Sequence, residues 1–154
     1  MRPLKRALVI AAASTLLSNA VSAGPQPVAP KLTPRLRGLL TSEMVSLRTA
    51  VHGILDGLVT GDDATVGKLA QRVHDSFIME KSMTPQDRKD LEAALPKEFV
   101  DMDETFHATA GQLADAARAH ERARERVLFD RMTAACSACH SRFATDVFTG
   151  FARR

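Results

Sequence analysis

Apolar side chains recur along most of this chain at alternating steps of three and four residues, the spacing of one face of an α-helix. The first stripe, between residues 35 and 60, consists of Leu36, Leu40, Met44, Leu47, Val51, Ile54 and Leu58. No segment alternates apolar and polar residues over a useful length, so no β-sheet is expected. The pattern therefore predicts an all-α protein whose first helix, helix A, spans residues 35–60.

Breaks in the stripe and capping residues predict two further helices. Gly61-Asp62-Asp63 interrupts the first stripe and offers a capping carboxylate for helix B. The buried face of helix B is expected to contain Val66, Leu69, Ala70, Val73 and Phe77. After a loop around residues 81–83, Thr84-Pro85 combines a capping hydroxyl with a proline at the first helical position, which predicts the start of helix C. Helix C should end near Ala117, and Pro96 can bend or restart it.

The apolar pattern resumes in a last helix, helix D, near the C-terminus. Its apolar face comprises Val127, Leu128, Met132, Ala135, Cys139 and Phe143. Residues 118–126 are charged and rich in alanine without a helix breaker, so the pattern does not locate the join between helices C and D. Four long amphipathic helices with short connections predict an antiparallel four-helix bundle, and the core of such a bundle can hold a cofactor.

The N-terminus is typical of a secretory signal peptide. Basic residues precede an apolar run over residues 7–17, and residues 21–23 are Val-Ser-Ala, small residues of the kind that a signal peptidase reads. The apolar run is shorter than the roughly 20 residues that span a bilayer, which disfavours a membrane anchor. We therefore expect cleavage after Ala23, a periplasmic location and no membrane attachment of the mature chain.

The segment after the expected cleavage site and the charge of the mature chain complete the domain plan. Residues 24–34 contain four prolines, so they are expected to form an extended leader before a single domain over residues 35–154. Loss of the signal peptide lowers the number of Lys and Arg residues from 21 to 18, equal to the 18 Asp and Glu residues. A near-neutral surface without a basic stripe disfavours nucleic acid as a partner.

The two cysteines of the chain lie three residues apart, and a histidine follows the second. The stretch Cys136-Ser137-Ala138-Cys139-His140 matches the C-x-x-C-H pattern of covalent haem attachment. Residues three and four apart on a helix share a face, so Cys136 and Cys139 can each add to one haem vinyl group. His140 can then present an imidazole nitrogen to the iron.

Two other kinds of site use paired cysteines. A zinc site would need a fourth ligand, and the other histidines are scattered singly: His52, His74, His107 and His120. A thiol-disulfide oxidoreductase would place its dithiol between a strand and a helix, whereas this pair lies late in an all-helical chain. A structural disulfide across so short a loop would do little for stability. Haem attachment is the favoured interpretation.

The signal peptide, the four amphipathic helices and C-x-x-C-H near the C-terminus resemble the class II c-type cytochromes, cytochrome c′ and cytochrome c-556. The resemblance spans residues 36–151, and only the haem motif is specific. It implies one covalent haem c, thioethers at Cys136 and Cys139, and His140 as the proximal iron ligand. It also implies redox partner proteins and a homodimer through helices A and B.

The chain departs from the family pattern after the second cysteine. Family members often read C-x-x-C-H-x-x-Tyr/Phe-Arg; Phe143 fits this pattern, but Ala144 stands where the arginine is usual. Arg142 lies about 200° around the helix from position 144 at 100° per residue, so it cannot simply replace that arginine. The family's chemistry on the proximal haem face is therefore not expected to transfer.

Function in this family depends on the residue opposite the proximal histidine. Met44 lies on the stripe of helix A, roughly where cytochrome c-556 has its first-helix methionine, and a thioether ligand raises the reduction potential. The alternative is that Met44 only fills the core, with Leu40 and Leu47 capping an open site. His52, His74 and His107 lie off or beside their stripes and are expected on helix flanks. Four further methionines are expected in the core or in loops: Met79, Met83, Met102 and Met132.

These patterns favour a periplasmic single-electron carrier and not an enzyme. The alternative is a five-coordinate haem protein that binds nitric oxide or carbon monoxide. A zinc or thiol enzyme remains only if no haem is attached.

Overall fold

The computed structural model describes residues 24–76 and 78–151, without the side chain of Glu80. The expected signal peptide over residues 1–23 lies outside this part of the chain, as does Phe77, which was expected on the buried face of helix B. All regular structure in the described residues is helical, with no strand among them, which confirms the all-α prediction.

Six α-helices follow one another in the described residues. They are α1 (Pro34–Thr60), α2 (Asp63–His74), α3 (Met79–Ser82), α4 (Pro85–Ala94), α5 (Lys97–Arg118) and α6 (Arg122–Phe143). Short 3-10 helices precede α1 and follow α6, at Ala29–Lys31 and Thr149–Phe151.

α1 matches the predicted helix A closely and α2 starts where helix B was predicted, but α2 ends at His74, before the expected Phe77. Thr33 caps α1 by accepting a hydrogen bond from the Leu36 amide at 3.2 Å, and Pro34 occupies the first turn. The helix ends at Gly61, whose φ of 75° is left-handed and therefore favours glycine. The Asp62 carboxylate accepts from the Thr65 amide at 3.0 Å and caps α2, which confirms the expected capping carboxylate.

The region expected to be a loop and one bent helix is divided further. A short helix, α3, occupies the expected loop around residues 81–83. α4 starts at the predicted cap, Thr84, which forms a capping box with Asp87. The helix ends before Leu95 and Pro96, and α5 begins after them. Leu95 is extended (φ −90°, ψ 134°) because the proline ring excludes the helical conformation of the preceding residue. Pro96 therefore restarts the chain as a new helix.

The join between α5 and α6, which the pattern left open, lies at residues 119–121. His120 adopts a left-handed φ of 56°, which is uncommon for a residue other than glycine. Its ring and the Arg122 guanidinium both bond to the buried Asp63 carboxylate, at 2.7 and 3.2 Å. Contacts with α2, distant in the sequence, therefore hold this turn.

One hydrophobic core forms where the long helices pack on one another. α2 packs on α1 and α5, and α5 packs on α6. The core includes Leu47, Ile54, Val66, Val73, Phe106, Leu113, Leu128 and Met132. α2 and α5 approach closely at Gly67, where an added Cβ would lie 3.4 Å from the Ala117 Cβ.

The proline-rich segment 24–34, expected to precede the fold, packs against it. Val28 and Leu32 are buried. The amides of Gln26 and Val28 donate to the carbonyls of Arg142 and Phe143, at 2.6 and 3.0 Å. The last carbonyls of a helix have no partner within the helix, so this segment satisfies two of them at the end of α6.

Candidate functional site

Cys136, Cys139 and His140 lie in the last two turns of α6, as the motif requires. Both cysteines are free and half-buried. Their positions three residues apart in a regular helix put the two thiols on one face, and His140 follows on the same side. The helical placement of the three residues is therefore as predicted.

The two thiols are held in the neutral form. Burial raises the pKa of Cys136. Burial, with the nearby charge of Asp103 and the Cys136 thiol as smaller causes, raises the pKa of Cys139 to about 11. A reactive dithiol needs a lowered thiol pKa, because the thiolate is the attacking species. The environment of this pair is the opposite of that in a thiol oxidoreductase.

The His140 ring is held in place by the C-terminal segment. Its imidazole stacks on the Phe148 ring, with centroids 4.6 Å apart and an angle of 25° between the planes. Burial lowers the pKa of His140, so its imidazole is neutral near pH 7. A neutral imidazole nitrogen is the form that binds a metal.

A cavity of about 290 Å³ lies between α1, the connection from α2 to α4, and α5. We call it the Met44 cavity. Its apolar lining consists of Leu40, Met44, Met79, Met83, Leu91, Leu95 and Phe99. Its polar lining includes Glu43, His74, Asp103, Glu104 and His107. The lining therefore combines three methionines and four other apolar side chains with acidic residues and two histidines.

Two contacts relate this cavity to the cysteine-bearing turns of α6. Asp103 lines the cavity, and its charge acts on the Cys139 thiol. Phe99 also lines the cavity, and its ring meets the Phe143 ring edge-on with centroids 5.4 Å apart. α5 therefore contributes residues both to the Met44 cavity and to the surroundings of the motif, but Cys136, Cys139 and His140 are not in the cavity lining.

Met44 was expected on the inward-facing stripe of helix A. In the structure it is half-buried and lines the cavity. It also packs against the same hydrophobic core as Cys136. Of the two leucines one turn away, Leu40 lines the cavity, whereas Leu47 is buried in the core. Leu40 is the one placed to cap an open site.

The pattern did not find four other residues of the cavity lining. Met79 and Met83, expected in the core or in loops, line the cavity beside Met44. His74 and His107, expected on helix flanks, line it as well. The apolar period of a single helix marks the face that the helix buries. It does not mark residues of a cavity wall that several helix ends and connections form together.

The two histidines of the lining tie α2 to α5. The Nδ1 of His74 donates to the His107 carbonyl at 3.0 Å, and the Nδ1 of His107 donates to the Val73 carbonyl at 2.5 Å. Nδ1 of each ring therefore carries a proton. The His107 Nε2 lies 3.7 Å from an Asp103 carboxylate oxygen. The two hydrogen bonds hold α2 and α5 together beside the cavity.

Arg142 is engaged with α5. Its guanidinium forms an ion pair with Glu98 and lies 5.4 Å from the centre of the Phe143 ring. Ala144 forms the C-cap of α6, so the usual arginine position falls where the helix ends.

Among the described residues, no group of three or more His, Cys, Asp or Glu side chains is arranged to hold a metal ion. The zinc interpretation therefore has no preformed ligand set in this part of the chain. None of the helices described is both long and apolar enough to cross a membrane. Comparisons of the chain with protein-family models, curated proteins and solved structures find no match.

Proposed function

We propose that this protein is a c-type cytochrome of the class II kind that carries single electrons in the periplasm. In this proposal Cys136 and Cys139 hold one haem c through thioethers, and His140 is the proximal iron ligand. α1, α2, α5 and α6 correspond to the four helices of an antiparallel bundle, with α6 as the haem-binding helix.

One observation carries this proposal: a C-x-x-C-H motif on one helical face of α6, with both thiols free. The Met44 cavity, whose lining contains none of the three motif residues, gives secondary support through Asp103 and Phe99. The donor set fits a haem c because two neutral thiols and a neutral imidazole are the groups that its attachment uses. Seven of the fourteen residues that line the cavity are apolar and would contact the porphyrin, whereas Glu43, Asp103 and Glu104 add acidic groups to the lining.

Each residue of the site has a distinct part in electron transfer. Haem c, when bound, supplies a one-electron couple between ferric and ferrous iron. His140 would bind the iron, and its ring is held by stacking on Phe148. Leu40, Leu91 and Leu95 exclude water, which limits the solvent reorganisation that accompanies a change of charge. Met44 is proposed as the second axial ligand, and its thioether would raise the reduction potential.

The existing cavity also supports an alternative function, in which the site opposite His140 stays open. A five-coordinate haem would then bind nitric oxide or carbon monoxide, with Leu40 beside the open position. The two functions differ only in whether a thioether from the lining reaches the iron.

Haem attachment is tested by producing the full chain with a cytochrome maturation system and measuring absorbance and mass. We expect a coloured protein whose mass exceeds that of the mature chain by one haem. Cys136→Ser and Cys139→Ser should each remove one thioether, which shifts the haemochrome spectrum, whereas Ser137→Ala should not. A colourless chain without added mass would refute the proposal and leave the thiol or zinc classes.

The axial ligand is tested by spectra of the ferric and ferrous holoprotein with and without carbon monoxide. A Met44 ligand predicts a low-spin protein that reacts poorly with carbon monoxide and becomes high-spin in Met44→Ala. Met102→Ala is the matched control, since Met102 lies on α5 outside the cavity lining. A wild-type ferrous protein that is high-spin and binds carbon monoxide readily would favour the gas-binding function instead.

The proposal also includes partners. Redox partner proteins would dock near the exposed haem edge, and a homodimer would form through α1 and α2. Three exposed apolar side chains lie on one side of α1 and could take part in such an interface: Val45, Leu55 and Val59.

A further inference from the structure

Glu43 precedes Met44 on α1 and lines the same cavity. Its exposed fraction is only 3%. A carboxylate is costly to bury unless hydrogen bonds replace those it made with water. The partners of Glu43 therefore indicate why a charged residue occupies a buried position beside the proposed axial ligand.

Both oxygens of Glu43 accept hydrogen bonds from the connection between α2 and α3. Oε1 accepts from the Ser76 hydroxyl at 3.1 Å. Oε2 accepts from the amides of Ile78 and Met79, at 2.5 and 3.2 Å. Bonds from backbone amides to a charged acceptor are stronger than bonds between neutral groups. A single side chain of α1 thus holds three residues that are distant in the sequence.

The conformation of Ser76 shows that this connection depends on its contacts. Ser76 has a left-handed φ of 55°, which is disfavoured for a residue with a Cβ. Such a conformation persists only where surrounding contacts hold it. The buried Ser76 hydroxyl donates to Glu43, so the carboxylate is one of those contacts.

The held connection is also part of the cavity wall. Ser76 and Met79 line the Met44 cavity, and Met83 follows in the same wall. Met79 therefore binds Glu43 through its amide and lines the cavity with its side chain. If the carboxylate released these groups, the wall beside Met44 would lose its attachment to α1.

The geometry points to Glu43 as a positioning residue of the Met44 cavity, which holds Ser76, Ile78 and Met79 against α1 and thereby restricts the access of small ligands to the cavity. This inference rests on the proposed function only for the identity of the occupant, a haem iron opposite His140. The hydrogen bonds of Glu43 do not require haem. The carboxylate holds the connection between α2 and α3 on α1 and so opposes local opening of the cavity wall.

Amide hydrogen exchange in the mature full-length chain tests the attachment. Glu43→Ala should accelerate exchange of the Ile78 and Met79 amides by about tenfold or more, because both lose a charged acceptor. Glu43→Gln should largely restore protection, since its amide oxygen can accept from both amides and its NH₂ group can donate to the Ser76 hydroxyl. Unchanged exchange at these amides in Glu43→Ala would overturn the inference.

Asp87→Ala is the matched control. Asp87 is also a buried carboxylate that accepts a backbone amide, that of Thr84 at 2.8 Å, but it starts α4 and does not line the cavity. Its loss should expose the Thr84 amide and leave Ile78 and Met79 protected.

The rate of carbon monoxide association with the ferrous holoprotein tests the effect on access. Glu43→Ala should raise this rate several-fold, Glu43→Gln should stay near wild type, and Asp87→Ala should not change it. If Glu43→Ala and Asp87→Ala lower thermal stability alike and neither alters the rate, Glu43 has only a structural role.

Ser76→Ala provides a second variant should Glu43→Ala fail to fold. It removes one bond of the attachment and should accelerate exchange at Ile78 and Met79 to a smaller extent; no acceleration would overturn the inference. If the chain never acquires haem but the Ile78 and Met79 amides still exchange faster in Glu43→Ala, the proposed function is refuted and the role of Glu43 in holding the connection stands. A holoprotein with unchanged exchange and carbon monoxide rate in the variants would refute the inference alone.

Discussion

At the scale of single residues, the buried carboxylates differ in what surrounds them. Glu43 accepts bonds from three groups of the α2–α3 connection. Asp63 accepts from His120 and Arg122. Glu125 has an exposed fraction of 1%, and its Oε1 is buried without a hydrogen-bond partner. The unpaired, buried oxygen of Glu125 therefore lowers the stability of the fold.

Burial first, and then the charge of Asp63, raise the pKa of Glu125, while Arg122, Arg126 and His120 oppose the rise. A carboxyl with a raised pKa in the folded state stabilises the fold most at low pH. That contribution is lost as the pH rises through the folded-state pKa, above 4.5. At pH 7 the protein carries the penalty of the buried charge.

Glu125→Met should therefore raise the free energy of unfolding at pH 7 by about 1–3 kcal/mol, because it removes an unpaired buried oxygen. The gain should shrink below pH 4.5, where wild-type Glu125 is protonated in both states. Urea unfolding at pH 4 and pH 7 measures both values. Glu121→Gln, at an exposed carboxylate paired with Arg124, should change stability by less than about 0.5 kcal/mol. Destabilisation by Glu125→Met at pH 7 would contradict this account.

At the scale of secondary-structure elements, local sequence and packing compete within α1. Glycine lowers helix stability by about 1 kcal/mol relative to alanine, yet α1 contains several. A Cβ at Gly57 would lie 2.8 Å from Val66 Cγ2 and 3.2 Å from the Asp62 carbonyl oxygen. A Cβ at Gly38 would meet nothing within 4 Å. Only the first of these glycines is required by the packing of α1 on α2.

We expect Gly57→Ala to destabilise the protein by about 1–3 kcal/mol, because overpacking against a backbone oxygen and a stiff valine exceeds the gain in helix propensity. Gly38→Ala should instead stabilise it by about 0.5–1 kcal/mol. Thermal unfolding of the two variants measures these changes, and changes of equal sign would contradict the packing described.

The proline-rich segment before α1 packs on the helices and should contribute to stability. Leu32 has an exposed fraction of 4%, although it lies in the proline-rich stretch expected to precede the fold. Leu32→Ala should cost about 2–4 kcal/mol of unfolding free energy, as for other buried leucines. Leu55→Ala, on an exposed α1 position, should cost less than about 1 kcal/mol. Equal small effects in chemical denaturation would mean that residues 24–34 are a loose leader after all.

At the scale of the whole molecule, three exposed apolar side chains on one side of α1 are a candidate contact with a second copy of the chain. Val45, Leu55 and Val59 are exposed, and at about 100° per residue they fall within about 80° of arc on the helix. Val59 is 77% exposed. Arg48 and His52 are exposed within the same arc, so an interface with a second copy of the chain here would combine apolar and polar contacts.

If the proposed homodimer uses this face, Val59→Glu should raise the dimer dissociation constant by about tenfold or more in sedimentation equilibrium, because it buries a charge at the interface. Val127→Glu, at an exposed valine on α6, should leave the constant unchanged. A wild-type protein that is monomeric at all concentrations tested would refute a dimer through α1 and α2.

The sequence alone determined the features that depend on neighbouring residues. The stripe of α1, the caps at Asp62 and Thr84, and the all-helical class follow from spacings of three and four residues. The alignment of Cys136, Cys139 and His140 on α6 follows from the same spacing. Interactions of this range are fully contained in a short stretch of chain, so their pattern is visible in the sequence.

Only the tertiary structure decided the features that join distant segments. The turn at His120 depends on Asp63, and the position of Gln26 and Val28 depends on carbonyls at the end of α6. The Met44 cavity takes Met79 and His107 from elements whose own stripes do not mark them, and Glu43 finds its partners more than 30 residues away. Such contacts form when helices pack and buried polar groups find partners. The apolar period marks which face of a helix is buried, but it does not say which distant segment will cover that face or bond to it.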